Sequence, residues 1–284
     1  MVKLLALIDG SIYSHSVCDH AAWVARQTGA GIEVLHVLGR RDTSSVPANL
    51  SGNLSVDARD TLLAELVSLD EQKSKLAQKR GRILLSDAKE RLTEAGISEV
   101  TTTLRNGDLV ETVAEFEIDA DLVVLGKRGE AADMATLHLG SNLERVARSS
   151  KRPILVASRA FKPIKRFLIA FDGGVSAFKA VEYASRNPIS EGLECRMLTV
   201  GAETSETRER LEKAADLLRS SGLSVKTDIR QGQADAVIAG AVDADAIDLL
   251  LIGAYGHSRI RSLIIGSTTT EMIRSCLIPI MLFR

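Results

Sequence analysis

Three glycines and a hydroxyl pair stand at fixed spacing in "GAYGHSRIRSLIIGST", as Gly253-x2-Gly256-x9-Gly266-Ser267 with Thr268 next. Glycine lets a backbone turn with positive φ and lets a ligand reach main-chain N–H groups without meeting a side chain. Hydroxyls and free amides at a helix start attract anions. The apolar "LLLI" before Gly253 reads as a strand, and "TTEMIRSCL" after Thr268 reads as a helix. The pattern is therefore a cradle for phosphate. Asp172, which follows the apolar run "FLIAF", adds a carboxylate that can accept hydrogen bonds from a sugar or base, or help hold a metal ion beside phosphates. His257 lies in the same loop, where it either touches a phosphate or is simply solvated. A nucleotide satisfies both ends of this constellation.

Other chemistries find little support. The chain has no Gly-x4-Gly-Lys-Ser/Thr, so a P-loop ATPase or kinase is excluded at the level of motif. "FDGGVSAFKA" superficially resembles the Ser-Gly-Gly-x-Asp-Ser loop of ATP pyrophosphatases, but Asp172 and Ser176 occupy the wrong positions. No hydrolytic constellation emerges, and a binding role with at most weak ATPase activity is expected. A formal net charge of -1 and 4% aromatic residues argue against nucleic acid as the main partner. Cys18, Cys195 and Cys276 are scattered singly, with neither metal-site spacing nor an even disulfide framework, and read as buried free thiols. The opening "MVKLLALIDGS" meets an acid at Asp9 after a short apolar run, too brief to address or span a membrane. A cytoplasmic protein is expected.

The elements that must position the cradle are written twice. "LLALIDGSIYSHSVCDHAAWVA" (4–25) superimposes on "FLIAFDGGVSAFKAVEYAS" (167–185), so Asp9 matches Asp172. "EAGISEVTTTLRNGDLVETVAEFEIDADLVVLGKRG" recurs as "SSGLSVKTDIRQGQADAVIAGAVDADAIDLLLIGAYG", which matches Gly107 to Gly232 and Gly126 to Gly253. "RPILVAS" recurs as "IPIMLFR", and "RAFKPIKR" joins the halves. Within each half, runs that are apolar at nearly every position alternate with amphipathic stretches. That is the pattern of parallel strands covered on both faces by helices. Two α/β units of about five strands each are predicted, residues 1–158 and 165–284, with ligand sites at the carboxyl ends of the strands.

Gly253-x2-Gly256-x9-Gly266-Ser267, after a strand ending in Asp172, resembles the ATP-binding pattern of universal stress proteins. The doubled chain resembles their tandem, two-domain type. The resemblance implies tandem Rossmann-like (HUP-type) domains, each a five-stranded parallel sheet between helix layers. It implies adenine near Asp172 and the backbone of Val200, with phosphates along Gly253, Gly256, Gly266, Ser267 and Thr268. ATP, ADP or AMP is the implied ligand, with Mg2+ as its candidate companion. It also implies that "ILVA" of one half pairs with "IMLF" of the other, an internal pseudo-dimer. The first half departs from the pattern: Asp9, Val37, Gly126, Gly129, Gly140 and Ser141 stand at the matching places, but ten residues separate Gly129 from Gly140. Its loop also carries Glu130 and Asp133, which repel a triphosphate, beside Lys127 and Arg128, which offset part of that charge. The second half, with its motif intact, is the expected site.

The first half is also longer, since Asp9 to Asp121 spans 112 residues where Asp172 to Asp248 spans 76. The extra residues fall at about 40–80. Leu62, Leu66, Leu69, Leu76, Ile83, Ala88 and Leu92 recur near helical spacing and predict one long helix, or two broken near Gly81. Core packing is the first expectation for this stripe. A second chain in a further homodimer, a membrane surface or the other half are its alternative partners. If the crevices hold no nucleotide, this helix and the sheet edges would make the chain an interaction or scaffold protein.

Overall fold

The computed structural model describes residues 2–39, 56–127, 141–254 and 266–284. Along the first half it runs β1 (Lys3–Leu7), α1 (Ser14–Thr28), β2 (Gly31–Leu38), α2 (Val56–Glu94), β3 (Val100–Asn106), α3 (Leu109–Phe116), β4 (Leu122–Gly126), α4 (Ser141–Ser149) and β5 (Ile154–Ala157). The second half repeats that order: β6 (Arg166–Ala170), α5 (Val175–Arg186), β7 (Glu194–Val200), α6 (Ser205–Ser220), β8 (Ser224–Arg230), α7 (Ala234–Ala244), β9 (Leu249–Gly253), α8 (Ser267–Ser275) and β10 (Ile280–Phe283). The expected tandem Rossmann-like α/β architecture is present.

The two expected five-stranded sheets are fused into one of ten strands, ordered β3-β2-β1-β4-β5-β10-β9-β6-β7-β8. Every pairing is parallel except the central one, where β5 and β10 run antiparallel with Leu155 opposite Met281. Alternation decides which residues face which layer. Leu155 and Met281 join the apolar layer that Val17, Leu85, Val181 and Leu211 supply from α1, α2, α5 and α6. Ile154, Val156, Ile280 and Leu282 join the opposite layer, with Val113, Val146, Ile238 and Met272 from α3, α4, α7 and α8. Each layer therefore runs unbroken through both halves.

Helix α2 is one element, not two. A Cβ at position 81 would lie 2.8 Å from Leu104 Cδ1 and 2.9 Å from His36 Cδ2. Gly81 thus breaks nothing; its missing side chain is what lets the helix lie closely on β2 and β3. The buried residues Leu85, Ala88 and Leu92 follow it. Core packing holds for Ala88 and Leu92 of the stripe and fails before them, because Ile83 is exposed and no described side chain from Asp60 to Arg80 is buried.

The three thiols are buried and unbonded, and burial pushes Cys18 up to about 12, with Asp19 adding to the effect. Among the described residues no helix is long and apolar enough to cross a membrane. The join between the halves is held on α1, where Ser16 Oγ donates to the Ser158 carbonyl at 2.7 Å. The His20 ring meets Phe161 edge-on at 5.1 Å. Lys127 Nζ reaches across the halves to the Cys276 carbonyl at 2.6 Å, so this cation is engaged at the junction.

His20 is fully buried; its Nδ1–H donates to the Ser16 carbonyl at 2.7 Å, and its Nε2 has no partner among the described residues. Burial holds the imidazole below its ordinary 6.5. The unfolded chain gains a proton near that pH that the folded chain refuses, so stability is full above it and is lost progressively as pH falls below it. A His20→Phe variant, which keeps the ring on Phe161, should flatten this loss. Guanidinium midpoints at pH ~7.5 and ~5.5 check it, the parent losing up to about 1.4 kcal/mol per pH unit more than the variant.

Candidate functional site

From β6 the chain proceeds outward through β7 and β8 on one side, whereas β9 and β10 return on the other. The carboxyl ends of β6 and β9 therefore border the point where the strand order reverses, and a crevice opens there because the helices leave to opposite faces. The same reversal lies between β1 and β4 in the first half.

Two helix starts converge on the end of β9. From one face, α5 comes so close that a Cβ on Gly253 would lie 2.9 Å from Ser176 Cβ and 3.3 Å from the Ala177 amide nitrogen. From the other, the Gly266 amide donates to the Ala254 carbonyl at 3.1 Å, and Thr269 Oγ1 donates to the Gly253 carbonyl at 2.9 Å. The segments after Ile252 and around Ser267 thus face each other. Neither α5, capped by Gly174, nor α8, capped by Gly266, has a side-chain cap or an acid in its first turn. Their leading amides and dipoles present partial positive charge to the crevice. Ser267 is exposed and Thr268 half-buried at the start of α8.

Asp172 is exposed and its Oδ1 accepts from the Gly174 amide at 2.8 Å, closing a tight turn in which Gly173 has φ +75°. Asp9 does the same for the Ser11 amide at 3.0 Å, with Gly10 at φ +79°. The aspartates are thus turn formers at the crevice rim. Val200 ends β7 beside this turn, and Val37 is the last residue but one of β2 beside the other; both are half-buried. Each turn is tied to its neighbouring strand from below: Thr199 Oγ1 donates to the Phe171 carbonyl at 2.8 Å, and His36 Nδ1 to the Ile8 carbonyl at 2.8 Å. Different chemistry fills the same place in the repeat.

The roofs over the turns differ more. A Cβ on Gly173 would meet Arg210 Cδ at 2.7 Å, and Arg210 pairs with Glu206 at 2.7 Å. A Cβ on Gly10 would meet Leu84 Cδ1 at 2.9 Å and Arg80 Nη2 at 3.3 Å. Gly96 and Gly222 end their helices alike with positive φ, and counting back from them places Leu84 where the second half has Arg210. Both turns therefore lie beneath a guanidinium, Arg210 in the second half and Arg80 in the first, where Leu84 adds an apolar cover.

The structure brings together Asp172, Val200, Gly253, Gly266, Ser267 and Thr268 around one crevice, and Asp9, Val37 and Gly126 around its counterpart. Gly129, Gly140, Gly256 and His257, with the loop charges Arg128, Glu130 and Asp133, lie outside the described residues. Ser141 begins α4. Thr199, Thr269 and Arg210 were missed by sequence reasoning. Only the lining-up of the repeats, which places Arg210 on Leu84 and Thr199 on His36, carried a signal for any of them. Among the described residues no cluster of His, Cys, Asp or Glu is arranged to hold a metal ion.

The model of the universal stress protein family matches residues 1–158 and 196–284. Universal stress protein Slr1230 of Synechocystis is 36% identical over 287 aligned residues, which cover 100% of this chain and 100% of that protein. Universal stress protein YxiE of Bacillus subtilis is 28% identical over 54% of this chain and 97% of its own length. A solved universal stress protein from Archaeoglobus fulgidus shares the fold, with a TM-score of 0.75 at 20% identity over 99% of this chain and 98% of that one.

The fit of Gly253 against α5 gives a direct test of the crevice geometry. Gly253→Ala sets a Cβ against the rigid start of a helix and should cost roughly 1–3 kcal/mol of stability. Gly201→Ala, at the end of β7 with nothing within 4 Å of the new Cβ, should be close to neutral. Denaturant midpoints of the two variants separate these outcomes.

Proposed function

Because this chain belongs to the universal stress protein family, we propose that it is a cytoplasmic stress-response protein that holds ATP, ADP or AMP in its second half. The observation that carries the reading is the meeting of two uncapped, acid-free helix starts at the end of β9. We divide the chain into a divergent domain of residues 1–158, which contains the inserted helix, and a nucleotide-binding domain of residues 165–284.

In this reading Asp172 and the backbone at Val200 receive the adenosine end. Gly253, Gly256, His257, Gly266, Ser267 and Thr268 surround the phosphates. The leading amides of α8 stabilise negative charge that water would otherwise solvate. The nucleotide brings a polyanion and, where Mg2+ accompanies it, a cation held chiefly by phosphate and water. Arg210 adds a guanidinium beside this crevice, and the choice of the second half rests on its intact Gly253-x2-Gly256-x9-Gly266-Ser267 spacing. Nucleotide that binds only the folded form acts as a stability signal, worth ~2.7 kcal/mol at a hundredfold excess over its dissociation constant.

Thermal-shift titration with ATP, ADP and AMP is the test. The parent should gain several degrees at saturation with at least one of them, and Gly266→Asp, which puts a carboxylate at the start of α8, should remove the gain. A parent that does not shift with any of the three ends the nucleotide reading and leaves the interaction protein in its place.

A further inference from the structure

Lining up the ends of α2 and α6 at Gly96 and Gly222 sets Ser205, the first residue of α6, on Lys79. Residues Val56 to Gln78 of α2 have no counterpart in the second half, an extension of ~35 Å at 1.5 Å per residue. Leu62, Leu69, Leu76 and Ile83 recur along it every seventh residue. They are 39%, 54%, 68% and 53% exposed, on the side away from the buried Leu85, Ala88 and Leu92. With Leu63 and Val67 they make up half of the large apolar side chains that stand exposed among the described residues. A seven-residue apolar repeat over three heptads supplies one of the two rows of a helix-pair seam, with Leu66 and the stem of Lys73 in the other, and here it faces solvent.

The charges say what the seam pairs with. Residues 60–71 carry Asp60, Glu65, Asp70 and Glu71 with no Lys or Arg, and residues 73–82 carry Lys73, Lys75, Lys79, Arg80 and Arg82 with no Asp or Glu. Between Arg59 and Ile83 the helix is thus divided at Gln72 into an acidic half and a basic half. Two copies laid parallel would set acid on acid and base on base. Turned end for end about an axis between Gln72 and Lys73, they oppose Leu69 to Leu76, Leu62 to Ile83 and Asp70 to Lys75. Seam and charge are both self-complementary in that one arrangement, which is the condition for a closed two-fold interface. The two globular bodies then lie at opposite ends of the pair. An anionic membrane surface matches less well, since it would repel the acidic half.

We propose that the outward seam of α2 is a homodimerisation surface, occupied by the antiparallel α2 of a second copy of this chain. The interface is independent of nucleotide in the second half.

Sedimentation velocity of the full chain over a range of concentrations tests the proposal. The parent should be a dimer whose dissociation constant rises with salt. Leu69→Asp with Leu76→Asp should raise that constant at least ~100-fold while leaving the thermal unfolding of the body unchanged, because both side chains are exposed. Orientation is read by oxidation of Cys variants, the native thiols being buried. A chain with Leu62→Cys should cross-link to one with Ile83→Cys and not to itself. A parent that stays monomeric at every concentration, a Leu62→Cys chain that links to its own kind, or a monomer that floats with anionic phospholipid vesicles through α2 would each overturn it.

Discussion

The antiparallel join of β5 to β10 is the interaction on which the rest of the molecule depends. A five-stranded parallel sheet that stops at β5 presents an open row of backbone donors and acceptors, which must be satisfied by water or by another strand. Here the other strand belongs to the same chain. Because Ile154, Val156, Ile280 and Leu282 all look to one face, while Leu155 and Met281 look to the other, the join also fuses the apolar layers on both sides. The helices that carry the crevice are anchored in those shared layers: Met272 and Ile273 of α8 are fully buried, as are Ala180 and Val181 of α5. The position of each helix start at the end of β9 is a consequence of that anchoring.

Within this frame the two crevices were built to one plan and then finished differently. Both have an aspartate turn with a glycine at positive φ, and both tie the preceding carbonyl to the next strand through a side chain. Hydrogen-bonding duty survives the change from His36 to Thr199 because either group donates to the same carbonyl. The roof has not been preserved in the same way. The long helix that crosses the first crevice leaves Asp9 half-buried, and the shorter one leaves Asp172 exposed.

Much of the fold was legible because it rests on local pattern. Runs such as "LVVLG" and "LLLIG" are apolar at every position only where helices cover both faces, and the repeat fixed which run answered to which. The turn role of Asp9 and Asp172 was also foreseeable from residue type. The remainder was hidden in contacts between segments far apart in the chain. Gly253 read as room for a ligand, yet on one face that room is taken by Ser176 at the start of α5. Gly81 read as a possible break, yet it is a point of close packing on His36 and Leu104. The stripe from Leu62 to Leu92 read as one apolar face for the core. Its later part is that, and its earlier part has no sheet beneath it to pack on, since the sheet ends before the helix does.

Joining the halves through Ser158 to Lys165 has a further result. A symmetric assembly of two separate chains can alter one binding site only by altering both, because one gene writes each. Once the pair is a single polypeptide, its halves remain at fixed high effective concentration however dilute the protein becomes, and each is free to diverge. One crevice has kept an exposed aspartate at its rim while the other has been covered by a longer helix. Joining the halves in one chain has turned an obligatory symmetry into a freedom for the two crevices to differ.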